Sequence, residues 1–242
     1  MTDKPLDGRI AVVTGASRGI GYVLAREIAR AGAHVVAVAR TVGGLEELDD
    51  EIRGFGGTAT LVPFDLTDFD AIDRLGAALF ERHGRLDILV GNAGILGPIS
   101  PLGHVAPKDW DKVMAVNVTA NWRLIRSLDP LLRRSDAGRA VFLSSGAAHR
   151  VRAYWGPYAV SKAALETMVE TWARESEITS LKVNCLNPGP LRTAMRAQAM
   201  PGEDADTLDR ADVLVPAVMR LLSPALEVSG RVWDRPTGDW LA

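Results

Sequence analysis

The chain has 242 residues, 47% of them hydrophobic and 24% charged, which are the proportions of a globular protein that fits one α/β domain over residues 1–242. A formal net charge of −2 without a long basic block argues against a nucleic-acid binder. The single cysteine, Cys185, excludes an intramolecular disulfide and a thiolate cage, so no metal is expected. No apolar run approaches the ~20 residues of a membrane span, and Met1–Gly8 lacks a signal-like apolar core, which favours a cytoplasmic protein.

Short apolar runs alternate along the chain with longer segments of helical period. The runs are nearly continuous in apolar character, as in strands of a parallel sheet that is covered on both faces. The predicted strands are Ile10–Thr14, His34–Ala39, Ala59–Pro63, Leu86–Val90, Ala140–Ser144, Leu181–Leu186 and Val228–Trp233.

Helices are predicted between these strands from apolar residues that recur on one helical face. They cover Ile20–Ala31, Asp68–His83, Pro107–Arg133, Pro157–Ile178 and Ala211–Leu222. The alternation predicts an α/β fold: one doubly wound, seven-stranded parallel sheet with helices on both faces. The polar stretch Ala199–Arg210 interrupts this rhythm and is predicted to be a mobile surface loop, a candidate lid.

A glycine-rich turn directly follows the first predicted strand. It reads Thr14-Gly-Ala-Ser-Arg-Gly-Ile-Gly21, and its glycines allow the backbone to approach a diphosphate closely. The helix that follows would direct its N-terminal N–H groups and positive dipole end at that anion. Since the turn lies at a strand-to-helix junction, it predicts a phosphate site rather than an ordinary turn.

Gly15, Ser17 and Gly19 also match the G-x-S-x-G nucleophile elbow of hydrolases. This alternative would make Ser17 a nucleophile and would require an acid and a histidine later in the chain. Such an elbow normally follows a middle strand rather than the first. The histidines are His34, His83, His104 and His149, three of which precede the second half of the sheet, so the hydrolase is the less favoured interpretation.

Tyr158 and Lys162 lie four residues apart in a predicted helix and therefore share a face. A free phenol has a pKa of about 10, too high for acid/base work at neutral pH. We expect the Lys162 ammonium, together with the charge of an oxidised nicotinamide, to lower the pKa of Tyr158. Tyr158 could then exchange a proton with an alcohol or a carbonyl oxygen; the plainer alternative is a pair of surface residues.

Two further polar residues fall at informative places. Ser145 follows the fifth predicted strand, at the carboxyl edge where open α/β sheets bind ligands, and could hydrogen-bond a substrate oxygen or merely cap a turn. Asn117 interrupts an apolar helical run, where its amide could hold a water in a proton path from Lys162 or could simply be a satisfied buried amide.

Together these motifs resemble the short-chain dehydrogenase/reductase family over nearly the whole chain. The matching pieces are the turn Thr14–Gly21, Asn92-Ala-Gly94, Asn117, Ser145, Tyr158-x-x-x-Lys162 and Asn187-Pro-Gly189. The resemblance implies a Rossmann-type fold and a catalytic tetrad of Asn117, Ser145, Tyr158 and Lys162. Ser145 fits better than Ser144 because its spacing from Tyr158 is the family's usual one.

The resemblance also implies the residues that contact a nicotinamide cofactor. Lys162 would bind the nicotinamide ribose and Asp65 the adenine amino group. Thr193 would donate to the nicotinamide carboxamide. The full implied set is Gly15, Ser17, Arg18, Gly19, Ile20, Gly21, Arg40, Thr41, Asp65, Leu66, Asn92, Ala93, Gly94, Tyr158, Lys162, Pro188, Gly189, Leu191 and Thr193.

The end of the second predicted strand indicates which nicotinamide cofactor is used. An NAD site usually places a carboxylate there for the ribose 2′-hydroxyl, whereas a 2′-phosphate needs a cation. Here Ala39 takes the acid's place and Arg40 follows it, with Arg18 able to reach the same phosphate from the turn. We therefore expect NADP(H), with two solvated surface arginines as the alternative.

The expected function is an NADP(H)-dependent oxidoreductase that moves a hydride between nicotinamide and a carbonyl/alcohol substrate. The alternative is a non-catalytic NADP-binding sensor, for which a proton donor has no use. Substrate walls are expected from Leu96–Pro101, His149–Trp155 and Pro190–Arg210. The resemblance further implies a homodimer or homotetramer, in which the helices Pro107–Arg133 and Pro157–Ile178 pair between subunits. The final strand departs from the family because it lacks the usual Asp-Gly-Gly ending.

Overall fold

One twisted sheet organises the chain in the computed structural model, which describes residues 4–241. The order of its strands is β3-β2-β1-β4-β5-β6-β7-β8, and β1 to β7 pair in parallel. The bounds are β1 Ile10–Thr14, β2 His34–Ala39, β3 Thr58–Pro63, β4 Ile88–Gly91, β5 Arg139–Leu143, β6 Lys182–Asn187, β7 Val232–Asp234 and β8 Asp239–Trp240. The predicted α/β fold and its doubly wound parallel sheet are confirmed.

Eight helices connect or follow these strands among the described residues. They are α1 Gly19–Arg30, α2 Val42–Gly54, α3 Phe69–His83, α4 Pro107–Met114, α5 Ala120–Leu132, α6 Gly156–Glu175, α7 Ala194–Ala199 and α8 Val215–Leu221. Helices α1, α2 and α8 pack on one face of the sheet through apolar side chains such as Leu24, Leu48 and Val218. Helices α3, α5 and α6 cover the other face, with Leu75 and Leu124 in its core. No helix within residues 4–241 is long and apolar enough to cross a membrane.

The predicted count of seven strands was wrong by one. After β7 the chain turns back through Pro236 and Gly238, whose φ of 71° suits glycine, and β8 pairs antiparallel to β7. The rings of Trp233 and Trp240 then meet edge to face, with centroids 5.3 Å apart. A two-residue strand is too short to show a hydrophobic period, so only the Pro and Gly turn signals marked it.

The predicted helix Pro107–Arg133 is interrupted in its middle. Residues Ala115–Thr119 form one wide π-helical turn between α4 and α5. Turns of this kind are rare in proteins, and those that do occur are frequently found at functional sites. Here the wide turn contains Asn117, the polar residue that interrupts the apolar run.

The predicted mobile stretch Ala199–Arg210 has more structure than a bare loop. It follows α7 and contains a short 3₁₀ turn over Ala205–Thr207. Three arginines bind its carboxylates: Arg192 pairs with Asp206, Arg196 with Glu203 and Arg235 with Asp209. These pairs connect the stretch to arginines that precede it in the chain and to one that follows it. Opening of the stretch as a lid would therefore have to break them.

Arg139 at the start of β5 is a buried cation that has no carboxylate partner within residues 4–241. Its guanidinium donates instead to five backbone carbonyls, at 2.7–3.1 Å, from Gly138, Ser180, Ser223, Pro224 and Leu226. Burial lowers the pKa of this group. These hydrogen bonds anchor the segment between α8 and β7 to the sheet.

Arg139→Met should therefore lower the free energy of unfolding by about 3 kcal/mol, since five backbone carbonyls would lose their donor. Denaturant unfolding followed by circular dichroism measures this change. Arg174→Met on the exposed surface of α6 is the matched control and should cost under about 0.5 kcal/mol. Equal stability of the two variants would contradict the anchoring role of Arg139.

Candidate active site

A large cleft opens beyond the carboxyl ends of the strands. In the order of the sheet, β2 and β3 lie on one side of β1, whereas β4 and the later strands lie on the other side. The boundary between β1 and β4 is therefore the topological switch point, where open α/β sheets bind ligands. The cleft has a volume of about 1450 Å³, more than the about 300–1,000 Å³ of an ordinary ligand pocket, which leaves room for a dinucleotide and a substrate together. All the predicted site residues line it except Gly21 and Asn117.

The glycine-rich turn forms one end of the cleft. Gly15 and Gly19 have φ of 67° and 59°, values that residues with a side chain rarely adopt. Helix α1 begins at Gly19, and no side chain caps its N-terminus. Its free N–H groups can therefore accept an anion, which is the condition for holding a cofactor diphosphate.

Gly21 lies behind this turn rather than in the cleft. A Cβ added there would come within 2.2 Å of the Gly15 carbonyl oxygen and 2.4 Å of Asn92 Nδ2. Asn92 in turn donates to the Thr14 carbonyl at 2.8 Å and so ties the end of β4 to the turn. The absence of a side chain at residue 21 is therefore what allows α1 to pack against the turn.

Gly21→Ala should abolish measurable cofactor binding or prevent folding, because the clash involves a backbone atom that cannot move aside. Fluorescence titration with NADPH and a thermal melt together report both effects. Gly202→Ala, where the space around the added Cβ is open, is the control and should leave both unchanged. Cofactor affinity and melting temperature of Gly21→Ala at the unsubstituted values would refute this packing argument.

Charged residues meet at the end of β2. Arg40 Nη1 lies 3.3 Å from Asp65 Oδ2, and both side chains are partly exposed. Burial acts to raise the pKa of Asp65, but hydrogen bonds from Thr67 and Arg40 outweigh it and lower that pKa. Arg18 lines the same end of the cleft and forms no ion pair within residues 4–241.

The opposite end of the cleft is formed by the segment after β6. Gly189 has φ of 69°, and an added Cβ there would lie 2.7 Å from Pro236 Cγ. Arg235 donates to the Pro188 carbonyl at 2.9 Å, and Asp234 accepts from Asn187. The residues that replace the family's Asp-Gly-Gly ending thus pack directly on the Asn187-Pro-Gly189 motif.

The predicted reactive pair lies between these two ends. The Tyr158 side chain is only 8% exposed, and Lys162 Nζ donates to the Leu143 carbonyl at 2.6 Å and lies 5.7 Å from the Tyr158 ring centroid. Ser145 follows β5 on the same wall. The structure therefore brings these three residues together.

The predicted direction of the Tyr158 pKa shift was wrong for the protein alone. Burial raises the pKa of the phenol, and the nearby Ser145 hydroxyl only partly counteracts it. Burial also lowers the pKa of Lys162 to about 8, a decrease that Cys185 and, to a smaller extent, Glu166 oppose. Desolvation, opposed only by the Ser145 hydrogen bond, therefore sets the direction of the Tyr158 pKa shift.

Asn117 has a fully buried side chain, and its amide is completely hydrogen-bonded. Oδ1 accepts from the Ile95 N–H at 2.9 Å, while Nδ2 donates to the Ile95 carbonyl and the Ser161 hydroxyl at 2.9 Å each. The satisfied-amide alternative thus describes its side chain, which fixes the cleft wall after Gly94. A Cβ added at Gly94 would contact both Asn117 Oδ1 and Lys162 Nζ, so the two groups lie close together.

The hydrolase alternative finds no support in the geometry. Ser17 lines the cleft. Two histidine rings within residues 4–241 form hydrogen bonds, and their partners are groups other than Ser17. His34 bonds the Thr58 and Thr60 hydroxyls, and His149 bonds Glu166. No group of three or more metal-ligating side chains occurs in this described range either.

Each of the three predicted substrate walls contributes to the cleft. Leu96, Trp155 and Met195 represent them, and the Trp155 ring meets the Tyr158 ring edge to face at 6.2 Å. Tyr154 does not line the cleft.

One contact was not predicted from the sequence: Glu166, one turn after Lys162 on α6, binds Ser144 and His149. Its i+4 spacing from Lys162 was the available signal.

Comparison with known proteins places this architecture. A family model described as short chain dehydrogenase matches residues 9–204. The chain belongs to the short-chain dehydrogenase family. This assignment covers both the phosphate turn and the Tyr158–Lys162 pair.

The relatives of this short-chain dehydrogenase include an uncharacterized oxidoreductase, YciK, from Escherichia coli (strain K12). It is 39% identical over 237 residues, which cover 96% of this chain and 94% of that protein. Dehydrogenase/reductase SDR family member 4 from Bos taurus is 35% identical over 191 residues, which cover 79% of this chain and 68% of that one.

Two solved structures of similar dehydrogenases contain a cofactor. A short chain dehydrogenase from Shigella flexneri 2a str. 301, complexed with NADP, has a TM-score of 0.93 and 37% identity and covers 97% of this chain and 100% of its own. One from Escherichia coli CFT073, complexed with NADPH, has a TM-score of 0.92 and 38% identity and covers 97% and 99%.

Proposed function

We propose that the protein is an NADP(H)-dependent oxidoreductase that interconverts a carbonyl and an alcohol, with Tyr158 as the acid/base. The observation that carries the proposal is the buried phenol of Tyr158 beside Ser145 and Lys162, in the same cleft as the uncapped N-terminus of α1. An anion site and a proton donor within one cleft are what hydride transfer from a dinucleotide requires.

The residues present fit the cofactor along the whole cleft. The turn Gly15–Gly21 would hold the diphosphate, Arg18 and Arg40 the 2′-phosphate, and Lys162 the nicotinamide ribose. Asp65 and the residues that follow β4 would line the adenosine half, and Pro188–Thr193 the carboxamide. The complexes of the Shigella and Escherichia coli relatives with NADP and NADPH support this assignment.

In the proposed reaction the bound NADPH supplies the hydride to the carbonyl carbon. Ser145 holds the carbonyl oxygen, and the Tyr158 hydroxyl donates a proton to it as negative charge develops there. The balance is one hydride and one proton added to one carbonyl, which leaves an alcohol and a phenolate. The Lys162 ammonium then stabilises that phenolate until it regains a proton from solvent.

The upward shift of the Tyr158 pKa suits reduction of a carbonyl. Because burial raises this pKa, the phenol carries its proton at neutral pH before the reaction. Oxidation of the cofactor creates a positive charge in the cleft, which lowers the cost of the phenolate. Tyr158 can therefore donate a proton during carbonyl reduction, and its phenolate can accept one during alcohol oxidation, when the cofactor carries the positive charge.

The proposal includes a homo-oligomer. Trp122 on α5 and Val160 on α6 are large apolar side chains that are 47% and 43% exposed, on the two helices expected to pair between subunits. Burying such residues against a second copy would remove apolar surface from water.

NADPH oxidation against a panel of aldehydes, ketones and ketoacyl esters tests the proposed function. Turnover of at least one carbonyl, with no turnover in its absence, is expected. Tight NADPH binding without reduction of any member would instead favour the sensor, which needs the turn but not the phenol.

A further inference from the structure

Three successive turns of α6 contact the end of β5. Tyr158 lies beside Ser145, Lys162 donates to the Leu143 carbonyl, and Glu166 accepts a hydrogen bond from the Ser144 hydroxyl. The spacing of four residues puts all three on one helical face. Two of these contacts belong to the reactive group described above, and the third has no role in it.

Glu166 is a shielded carboxylate with one partner on each oxygen. Oε1 accepts from Ser144 Oγ, and Oε2 lies 2.7 Å from His149 Nε2. Its side chain is 12% exposed, and Ser144 is buried. The carboxylate therefore holds both ends of the segment Ser144–His149, within which Ser145 lies.

Hydrogen bonds within this segment explain why its ends matter. Ser145 Oγ accepts from the Ala147 N–H at 3.2 Å, and the Arg150 N–H donates to the Gly146 carbonyl at 2.9 Å. The segment is thus a compact turn held by its own hydrogen bonds. Glu166 connects this turn to α6, the helix that carries Tyr158, in addition to the contact between Tyr158 and Ser145.

We propose that Glu166 is a positioning residue of the reactive group: it fixes Ser145 against Tyr158 through Ser144 and His149, and it places a negative charge one helical turn from Lys162. The inference rests on the proposed function, because it assumes that the Ser145, Tyr158 and Lys162 geometry limits turnover. Glu166 does not line the cleft itself and acts through Ser144, His149 and Lys162.

The charge has a separate consequence from the hydrogen bonds. The titratable groups that face Lys162 are Tyr158 and Glu166 from α6 and Cys185 from β6, while His149 acts through its pair with Glu166. Burial lowers the pKa of Lys162 to about 8, and both Cys185 and the Glu166 carboxylate work against this decrease. Removing the charge should lower that pKa further, so that Lys162 loses its proton at a lower pH.

Two substitutions separate these effects. Glu166→Gln keeps the size and hydrogen-bonding ability of the side chain but loses its charge, whereas Glu166→Ala loses both. We expect kcat to fall about tenfold in Glu166→Ala and much less in Glu166→Gln, with the KM for NADPH within about twofold in both. In both variants the alkaline limb of the kcat–pH profile should move to lower pH, by about one unit.

The matched control is Glu170→Gln, one turn further along α6, where the carboxylate is exposed and pairs with Arg174. Its kcat and pH profile should equal those of the unsubstituted protein. A pH profile of Glu166→Gln that coincides with that of Glu170→Gln would overturn the electrostatic part. A normal kcat in Glu166→Ala would overturn the positioning part.

Hydrogen exchange supplies a measurement that needs no turnover. The positioning role predicts faster amide exchange over residues 144–150 in Glu166→Ala than in the unsubstituted protein. In Glu166→Gln the exchange of these residues should be slower than in Glu166→Ala, and exchange in strands β1 and β2 should not change in either variant. Unchanged exchange at residues 144–150 would refute the positioning even if the protein reduced no carbonyl. Faster exchange in a protein without reductase activity would support the fixed segment while the proposed function failed.

Discussion

Tyr158→Phe should retain NADPH affinity within about twofold and lose carbonyl reduction by about 10³-fold or more. The substitution removes one buried oxygen and keeps the ring that packs against Trp155, so the cleft should keep its shape. The hydroxyl that lies beside Ser145 would no longer be there to donate a proton. Hydride would then have to reach a carbonyl whose developing charge is not neutralised.

Steady-state NADPH oxidation and fluorescence titration of the cofactor measure the two quantities separately. Tyr154→Phe is the matched control, because Tyr154 precedes the same helix, is exposed and does not line the cleft. Its kcat should stay within about twofold of the unsubstituted value. Turnover by Tyr158→Phe close to that of Tyr154→Phe would exclude the phenol as the acid.

Arg40→Asp should shift the preference from NADPH toward NADH by about 100-fold in the ratio of kcat/KM values. The guanidinium would no longer meet a 2′-phosphate, and the new carboxylate would repel it and could accept the 2′-hydroxyl of NAD. The ion pair of Arg40 with Asp65 is partly exposed, so its loss should change the free energy of unfolding by less than about 1 kcal/mol.

Kinetics with both cofactors in the same buffer give the ratio directly. Arg74→Asp is the control, since Arg74 is equally exposed, pairs with Asp68 at the same 3.3 Å distance and lies on α3 outside the cleft. The cofactor ratio of Arg74→Asp should not change. An unchanged ratio in Arg40→Asp would show that the 2′-phosphate is held elsewhere, with Arg18 the remaining cation at that end of the cleft.

Local signals in the sequence were sufficient for most of the fold. Strands β1 and β2 have the predicted bounds because each is a buried apolar run that ends at a turn. The π-turn around Asn117 could not be predicted, because its apolar neighbours keep a helical period on both sides. The strand β8 was missed because its two residues are too few to show a hydrophobic period.

The site residues were predictable as a set but their electrostatics were not. The positions of Gly15, Tyr158 and Lys162 follow from motif spacing, and the structure brings them to one cleft. Burial, in contrast, depends on every element packed around a residue, and in the protein without cofactor it raises the Tyr158 pKa that the spacing from Lys162 was expected to lower. The role inferred for Glu166 likewise depends on Ser144 and His149, whose approach only the folded chain reveals.

Transfer of deuterium from NADPH labelled at nicotinamide C4 tests hydride transfer in this cleft most directly. In a single turnover with a carbonyl from the active panel, the label should appear on the carbinol carbon of the product, and the hydroxyl proton should come from solvent. Product without carbon-bound deuterium from cofactor labelled on either face of C4, or label released into water, would contradict the proposed chemistry.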